Sequence, residues 1–405
     1  MNPAWWQPRG TLRRFVGDLV ADELGRLRRR AVPRPQPWGD RLRLDADLGV
    51  DSLERLSLAA ALAEVLHLHE SGIEDHLLAR RTFGEWLDVA QAGLARFDQR
   101  LTFRTSGSSG APKPCQHTLA GLRQETRHLA TLFSGRRRVL GAVPSHHIYG
   151  FLFCVLLPKE LGLEENCFVD LRASTPAWLA RHAQPGDLVI GHPDFWAALA
   201  HTVPALPPRV EGVTSTAPCP PDVAQGVVRA GLQRLVQVYG SSETGGIAQR
   251  TRPDEPYLLF PHWRFDPTDA GRLLRELPDG VVQPFQAQDQ LHPRGERHFE
   301  LGARLDAAVQ VGGINVFPGR VREVLCRHPA VQDAAVRPMR PEEGIRLKAF
   351  VVPTADAPEE PELLAALDDW VTRELTPAER PKSFRFGPQL PTGPTGKPVD
   401  WAIWL

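Results

Sequence analysis

A loop rich in hydroxyl groups and glycines follows a short β-type run that begins at Leu101. The loop reads TSGSSGAPKP and spans Thr105 to Pro114. Glycines let backbone N–H groups turn towards phosphate oxygens, the hydroxyls donate further hydrogen bonds, and Lys113 supplies positive charge. A flexible linker would not usually end in Pro-Lys-Pro directly after a strand, and the GxxxxGK(S/T) spacing of a Walker loop is absent. The loop therefore predicts phosphate binding by Thr105, Ser106, Gly107, Ser108, Ser109, Gly110 and Lys113.

Four later segments support this prediction by their content and their order along the chain. They are PSHHIYGF at residues 144–151, VTSTAPCP at 213–220, VYGSSETGG at 238–246 and LPTGPTGKPVD at 390–400. Together with the loop they resemble the adenylate-forming superfamily, which includes acyl-CoA synthetases, aryl-acid ligases and the adenylation domains of peptide synthetases. The resemblance implies that ATP, Mg²⁺ and a small carboxylic acid bind to this chain.

The resemblance also assigns roles to individual side chains. It implies that His147 lines the acid pocket, that Tyr239 stacks on adenine, and that Glu243 helps to hold Mg²⁺, a hard ion that prefers oxygen ligands. Judged without the resemblance, His147 would be an ordinary turn residue and Glu243 a solvated loop acid. The other residues implied to contact the nucleotide are Ala217, Pro218, Gly240, Ser241 and Thr244.

The chain departs from the family pattern near the expected ribose and hinge residues. The family's ribose-binding aspartate usually follows Ser/Thr-Gly, whereas Asp289 stands in the word AQDQ. Arg304 matches the hinge before a mobile C-terminal domain, although Ala303 replaces the usual glycine. Gly312 and Gly313 resemble the turn that faces the pantetheine of the thiol acceptor.

Lys397 lies on a Gly/Pro-rich loop, as the catalytic lysine of the family does. Outside this context, a single late lysine would be surface charge. The implied reaction is attack of the substrate carboxylate on the α-phosphorus of ATP, where positioning and electrostatics lower the barrier. The residues predicted to act directly are Lys397, Glu243, Thr105, Lys113 and His147.

A second resemblance concerns the N-terminal segment LDADLGVDSLERLSL. Asp51 and Ser52 precede an amphipathic helical pattern, so either residue is able to cap a helix. The segment also resembles the attachment motif of acyl and peptidyl carrier proteins. That resemblance implies that Ser52 bears 4′-phosphopantetheine, added by a phosphopantetheinyl transferase.

The periodicity of the chain predicts the elements that position these residues, and hence a multidomain fold. Residues 1–96 have helical periodicity and predict a four-helix carrier-like bundle, and residues 97–302 alternate strands and helices, which predicts a shortened α/β adenylation core with a largely parallel sheet. Residues 303–405 predict a small, mobile α+β lid domain. The subdomain that usually precedes the phosphate loop is missing. We therefore expect a small or open acid pocket, or one completed by a second copy in a homodimer.

Composition excludes several classes of function. Lys plus Arg and Asp plus Glu number 48 each, so no net field favours nucleic acid. No apolar run approaches the roughly 18 residues of a membrane-spanning helix, and the N-terminus lacks a signal-peptide pattern, so we expect a cytoplasmic protein. The five cysteines show no zinc-site spacing.

The predicted function is ATP-dependent activation of a carboxylic acid and transfer to a carrier-protein phosphopantetheine thiol. Analogy with shortened ligases favours a small aromatic acid such as a hydroxybenzoate or a cinnamate, in pigment, polyketide or related secondary-metabolite biosynthesis. One alternative is an acyl-CoA ligase whose carrier-like region is only structural. Another is a non-catalytic carrier or scaffold with a degenerate ligase portion.

Overall fold

The computed structural model describes residues 4–28, 30, 32, 38–105, 113–202, 205–305, 308–340, 342–391 and 399–403. The described residues form two compact units, one ending at Ala303 and the other beginning at Arg304.

The N-terminal region of the first unit is helical. Its elements are α1 (Arg9–Leu27), α2 (Ser52–Leu66), α3 (His76–Ala79) and α4 (Phe83–Arg96), with a 3₁₀ turn at Leu68–Ser71. Helix α2 begins after Asp51, whose carboxylate accepts a hydrogen bond from the backbone N–H of Glu54, while the Glu54 carboxylate accepts one from Asp51 N–H. This capping box satisfies two backbone donors and fixes the start of the helix.

The rest of the first unit alternates strands with helices. The helices are α5 (Leu119–Leu132), α6 (Ile148–Phe151), α7 (Leu157–Glu160), α8 (Pro176–His182), α9 (Pro193–Thr202) and α10 (Pro221–Arg229), with a π turn at Leu152–Leu156 and a 3₁₀ turn at Glu165–Cys167. The strands are β1 (Arg100–Thr105), β2 (Lys113–Thr118), β3 (Arg138–Gly141), β4 (Phe168–Asp170), β5 (Asp187–Gly191), β6 (Glu211–Thr214), β7 (Arg234–Ser241), β8 (Gly245–Arg250), β9 (Tyr257–Leu259), β10 (Trp263–Asp266), β11 (Asp269–Glu276), β12 (Val282–Gln286), β13 (Asp289–Pro293) and β14 (His298–Arg304).

Nine of these strands form the central sheet, in the order β13-β14-β9-β8-β7-β6-β5-β3-β4. Neighbours from β4 to β7 pair in parallel, whereas β7, β8, β9 and β14 pair antiparallel. The predicted α/β core is therefore confirmed, but its sheet is mixed rather than largely parallel. The parallel strands are joined by crossover helices, and a tight turn after β7 reverses the chain instead, as antiparallel neighbours allow.

Both faces of the parallel strands are buried. Val139 and Ile190 face the core that also contains α5 and the N-terminal helices, while Leu140 and Val189 face the core beneath α8, α9 and α10. Alternation along a strand sends successive side chains to opposite faces, so continuous apolar strands fit a sheet covered on both sides.

The N-terminal helices share the core of the sheet. The rings of Trp5 and Phe15 lie 5.0 Å and 5.5 Å from the ring of Phe151, and the guanidinium of Arg14 lies 3.7 Å from the ring centroid of Phe168. These contacts place α1 inside the first unit. The predicted carrier-like bundle is not confirmed, because its helices bury their apolar faces against the sheet and not only against one another.

The second unit is small and mixed. Its elements are β15 (Val309–Val311), β16 (Ile314–Val316), α11 (Pro318–Cys326), β17 (Val331–Pro338), β18 (Leu347–Pro353), α12 (Glu360–Glu374) and β19 (Ser383–Phe386). The sheet has the order β17-β18-β19, and α11 and α12 cover it through apolar residues such as Val321 and Leu367. The predicted small C-terminal α+β domain is confirmed.

Among the described residues, no helix combines the length and the apolar character that crossing a bilayer requires.

Candidate active site

The ends of the β1–β2 hairpin flank the predicted phosphate loop. Thr105 pairs with Lys113 in the ladder, and Lys113 Nζ lies 3.7 Å from Glu243 Oε1. The structure therefore brings together the predicted phosphate-binding lysine and the predicted metal-binding glutamate, which lie 130 positions apart in the chain. The loop residues Ser106, Gly107, Ser108, Ser109 and Gly110 lie outside the described residues.

Glu243 stands in the turn between β7 and β8, which hydrogen bonds within the turn hold closed. Ser241 N–H donates to Thr244 Oγ1 at 3.0 Å, and the Thr244 hydroxyl donates to the carbonyl of Gly245 at 2.8 Å. A Cβ atom at Gly240 would lie 2.1 Å from the Gly245 carbonyl oxygen, so this close approach requires glycine. The sequence YGSSETGG thus folds into a rigid support for a partly exposed carboxylate.

His117 fixes the same turn from the neighbouring hairpin. Its Nε2 donates to the carbonyl of Ser242 at 2.7 Å. Burial lowers the pKa of His117, against the opposing effect of that hydrogen bond, so the ring is neutral at neutral pH. His117 therefore acts as a fixed donor that holds the residue next to Glu243.

Two buried charged residues, Glu125 and Arg275, also hold the turn between β7 and β8. Glu125 accepts a hydrogen bond from Gly246 N–H at 2.8 Å, and the Arg275 guanidinium donates to the carbonyls of Thr244 and Gly121 at 2.8 and 2.9 Å. Burial raises the pKa of Glu125 to about 7, although Arg275 opposes the rise.

Sequence reasoning missed three of these residues, namely His117, Glu125 and Arg275. They lie outside the motifs that carry the resemblance, and nothing in their local sequence marks them. Only the chain packing reveals that they hold the turn.

Tyr239 and Asp289, both predicted to bind the nucleoside, meet in the structure. The Tyr239 hydroxyl donates to Asp289 Oδ2 at 2.9 Å, and the Tyr239 ring packs edge-on against Phe299 at 5.6 Å. Asp289 thus lies beside Tyr239, the other residue predicted to bind the nucleoside. Its role with the ribose stays a prediction.

The VTSTAPCP segment follows β6 at the carboxyl end of the parallel strands. Ser215 Oγ donates to the carbonyl of Val238, and Thr216 has φ = +78°, a left-handed conformation that is rare for a β-branched residue. Such strain is common where backbone must face a ligand. Ala217 and Pro218, predicted to contact the nucleotide and acyl group, follow at this edge; Ala217 is partly exposed and Pro218 is exposed.

His147 follows β3 at the same edge of the sheet. Its ring has exposed surface, yet enough protein surrounds it that loss of water, together with the neighbouring His146, lowers its pKa to about 4. The ring is therefore neutral at physiological pH. A Cβ atom at Gly150 would lie 1.8 Å from the Pro144 carbonyl oxygen, so the tight turn into α6 requires glycine.

The second unit holds the other predicted residues. Gly312 and Gly313, with φ of +58° and +78°, form the two-residue turn between β15 and β16, a conformation that favours glycine at both positions. Arg304 is the last residue of β14. Lys397 lies outside the described residues.

Comparison with known proteins decides the family. The AMP-binding enzyme family matches residues 88–267, and the AMP-binding enzyme C-terminal domain matches residues 321–397. The chain is 38% identical over 387 residues to the 4-coumarate–CoA ligase of Halorhodospira halophila, covering 95% of this chain and 97% of that protein. The chain belongs to the AMP-binding enzyme family. It is therefore an AMP-forming ligase that activates an acid as its acyl-adenylate.

A second relative agrees with this assignment, and one solved structure shares the fold. The 4-coumarate–CoA ligase of Cereibacter sphaeroides is 39% identical over 379 residues, which cover 92% of this chain and 88% of that protein. The amide bond synthetase McbA from Marinactinospora thermotolerans shares the fold of this AMP-binding enzyme, with a TM-score of 0.60 and 20% identity over 96% of this chain and 93% of that one.

ATP and Mg²⁺ fit the site of this AMP-binding enzyme. Glu243 offers a carboxylate whose side chain is 29% exposed, and Lys113 beside it offers a cation for phosphate oxygens.

Ser52, the predicted phosphopantetheine site of this AMP-binding enzyme, is the first residue of α2 and is exposed. Asp51 supplies the helix cap, which is the simpler of the two functions expected for the DSL segment. None of the comparisons shows a carrier domain, a prosthetic arm or a transferase partner.

Proposed function

We propose that this AMP-binding enzyme is an acid–CoA ligase that activates a hydroxycinnamate such as 4-coumarate. The relatives named 4-coumarate–CoA ligase carry this proposal, because they align along nearly the whole chain at 38–39% identity. An aromatic acid also agrees with the substrate class expected from the sequence.

CoA is proposed as the thiol acceptor in place of a carrier protein. The alignment with the Halorhodospira halophila ligase leaves only about 5% of this chain uncovered, so most of the 96 N-terminal residues have a counterpart there. The contacts of Trp5 and Phe15 with Phe151 support the same conclusion, since a carrier domain must move freely to deliver its arm. We therefore assign the helical region to the ligase body and prefer the alternative that the sequence left open.

The proposed adenylation site uses groups that the structure brings together. Lys113 binds phosphate oxygens of ATP, and Glu243 would hold Mg²⁺, which offsets charge on the leaving pyrophosphate. His117, Glu125 and Arg275 position the turn that carries Glu243.

The nucleoside and the acid occupy the carboxyl edge of the sheet in this proposal. Tyr239 and Asp289 bind the adenosine moiety, and Lys397 stabilises the carboxylate and the α-phosphate as they react. His147, neutral at physiological pH, orients the acid by hydrogen bonding and adds no charge. Gly312 and Gly313 face the CoA thiol arm when the thioester forms.

ATP–pyrophosphate exchange with a panel of hydroxycinnamic, benzoic and fatty acids tests the first half of the proposal. We expect exchange with 4-coumarate that depends on Mg²⁺ and is lost in Lys397→Ala. Adding CoA to the same mixture should yield AMP and the aryl-CoA thioester, separated by chromatography and identified by mass.

Exchange with fatty acids alone would contradict the substrate class. Absence of exchange with every acid would favour the scaffold alternative. Exchange without a CoA product, together with acylation of a phosphopantetheinylated Ser52, would restore the carrier function.

A further inference from the structure

Three side chains with metal-binding chemistry converge where helix α1 meets the segment after β3. Asp22, His146 and His147 each offer one ligand atom, and these atoms all lie within 4.8 Å of one another. His146 Nε2 lies 3.5 Å from Asp22 Oδ2, and the two imidazole rings lie 4.1 Å apart, centroid to centroid. The cluster contains neither Lys113 nor Glu243, but it shares His147 with the proposed acid site.

His146 supplies an independent reason to expect a ligand here. Its side chain is 7% exposed, and neither Nδ1 nor Nε2 makes a hydrogen bond. A buried polar group without a partner destabilises the folded state, and such groups are rare in folded proteins. Asp22 Oδ2 lies 3.5 Å from Nε2, at the outer limit of hydrogen bonding, and leaves Nδ1 without a partner.

A second His/Glu cluster among the described residues provides a contrast. His67, His69 and Glu70 also offer three nearby ligand atoms, but the buried His67 donates to or accepts from Thr102 Oγ1 at 3.0 Å. That histidine is satisfied by protein alone. Of these two clusters, the one around His146 is the one whose buried imidazole has no hydrogen bond.

We propose that Asp22, His146 and His147 bind a divalent transition-metal cation of the zinc class. Two imidazoles and one carboxylate are the ligands that zinc and its neighbours accept, whereas magnesium and calcium prefer oxygen alone. Bond lengths of 2.0–2.2 Å put the ligand atoms of a tetrahedral ion about 3.4 Å apart, close to the 3.5 Å between His146 Nε2 and Asp22 Oδ2. Three protein ligands leave one coordination position open.

This site would oppose acid activation when it is filled. The cluster shares His147 with the proposed acid site, so metal and acid compete for that imidazole and zinc acts as a reversible inhibitor; this second step rests on the proposed function. The binding claim does not depend on the proposed function, because it is tested without ATP, acid or CoA.

Cobalt spectroscopy on the full chain, purified without a histidine tag and treated with a chelator, tests the site. Co²⁺ reports its own coordination, since low-coordinate cobalt absorbs visible light much more strongly than the hexaaqua ion. We expect about one equivalent of Co²⁺ to give such bands, Zn²⁺ to remove them, and excess Mg²⁺ to leave them in place.

Variants assign the metal to these three residues. Asp22→Asn changes an exposed side chain and so preserves the fold. Asp22→Asn, His146→Gln and His147→Gln should each weaken Co²⁺ binding by more than the roughly 10- to 100-fold cost of losing an outer-shell partner. The matched control, His69→Ala with Glu70→Gln, should bind Co²⁺ as the wild type does.

The proposal is overturned if the protein gives no low-coordinate cobalt spectrum. It is equally overturned if Asp22→Asn binds Co²⁺ unchanged, or if the control variant abolishes binding. Circular dichroism of each variant distinguishes loss of the site from loss of the fold.

Discussion

The N-terminal helical region and the C-terminal unit were both expected to be separate domains, yet only the second has a core of its own. Leu367, Val351 and Val321 of the C-terminal unit pack against one another. Trp5 and Phe15 of the helical region pack instead against Phe151, from the centre of the α/β body.

The difference shows what an amphipathic pattern leaves open. Periodicity indicates which face of a helix is apolar, but it does not specify what that face packs against. The helices of residues 9–96 have the spacing of a free bundle, and polar contacts also fix them to the body: Asp18 accepts hydrogen bonds from Ser145 N–H and its hydroxyl at 2.8 and 2.6 Å. Those long-range contacts are the reason for assigning the region to the ligase body.

Phe15→Ala should give the largest effect, because it tests whether the N-terminal helices share a core with the sheet. The ring is fully buried between Trp5 and Phe151, so its removal should lower the free energy of unfolding by about 3–5 kcal/mol. Because helices and sheet share one core, hydrogen-exchange mass spectrometry should show α1 and β5 losing protection together. Leu53→Ala, at a residue that is 74% exposed, should change stability by less than about 0.5 kcal/mol. Unfolding of the helices alone would indicate an independent domain.

Lys348→Met tests whether the C-terminal unit has a core of its own. The fully buried ammonium of Lys348 lies 2.6 Å from Glu343 and 3.1 Å from Asp400, and its loss leaves Glu343 without that cation, whereas Asp400 keeps its ion pair with Arg340. We expect a destabilisation of about 3 kcal/mol, seen as faster hydrogen exchange in β17 and β18 with β5 unchanged. Lys382→Met, at an exposed lysine of the same unit, is the matched control. Equal loss of protection in β5 would contradict the independence of the C-terminal unit.

Glu125→Gln tests how the stability of the first unit depends on pH, because Glu125 lies in that unit. Its pKa rises from 4.5 to about 7 on folding, so the folded protein binds the proton more tightly and loses stability as pH rises through that interval. The loss amounts to about 3 kcal/mol. Glutamine keeps an acceptor for Gly246 N–H but does not titrate. Between about pH 5 and pH 8, the free energy of unfolding measured with urea should therefore rise by that amount in the variant relative to the wild type. An equal dependence on pH in the two proteins would contradict this prediction.

Tyr239→Phe should give the smallest effect. It removes the hydroxyl that donates to Asp289 and leaves the ring in place. We expect a loss of about 1 kcal/mol in ATP binding, or a roughly fivefold higher KM for ATP with kcat unchanged. Steady-state kinetics measure both constants. A fall in kcat alone would show that the contact positions reacting groups and not the nucleoside.

The sequence was informative where structure is local. The turn at Gly312 and Gly313 and the β7–β8 turn around Glu243 follow from glycines at positions with positive φ or close backbone approach. The family resemblance implied that Tyr239 and Asp289 both bind the nucleoside, but the hydrogen bond between them was seen only in the structure. His117 and Arg275 were not predictable, because their contacts with the turn join residues more than 30 positions apart in the chain.

The mixed sheet was missed for a related reason. Short strands with the same composition pair in either direction, and only the connection that follows each strand decides which. The carrier-like interpretation of the N-terminal region is not confirmed, because helical periodicity alone fits both a free bundle and helices packed on a sheet.

The rate of aryl-CoA formation by Ser52→Ala, compared with the wild type, tests the central claim most directly. Because the helical region is assigned to the ligase body, we expect Ser52→Ala to form the thioester from ATP, 4-coumarate and CoA at the wild-type rate. Loss of the thioester in this variant, with the fold intact and ATP–pyrophosphate exchange retained, would show that Ser52 carries the acyl group and would contradict the account.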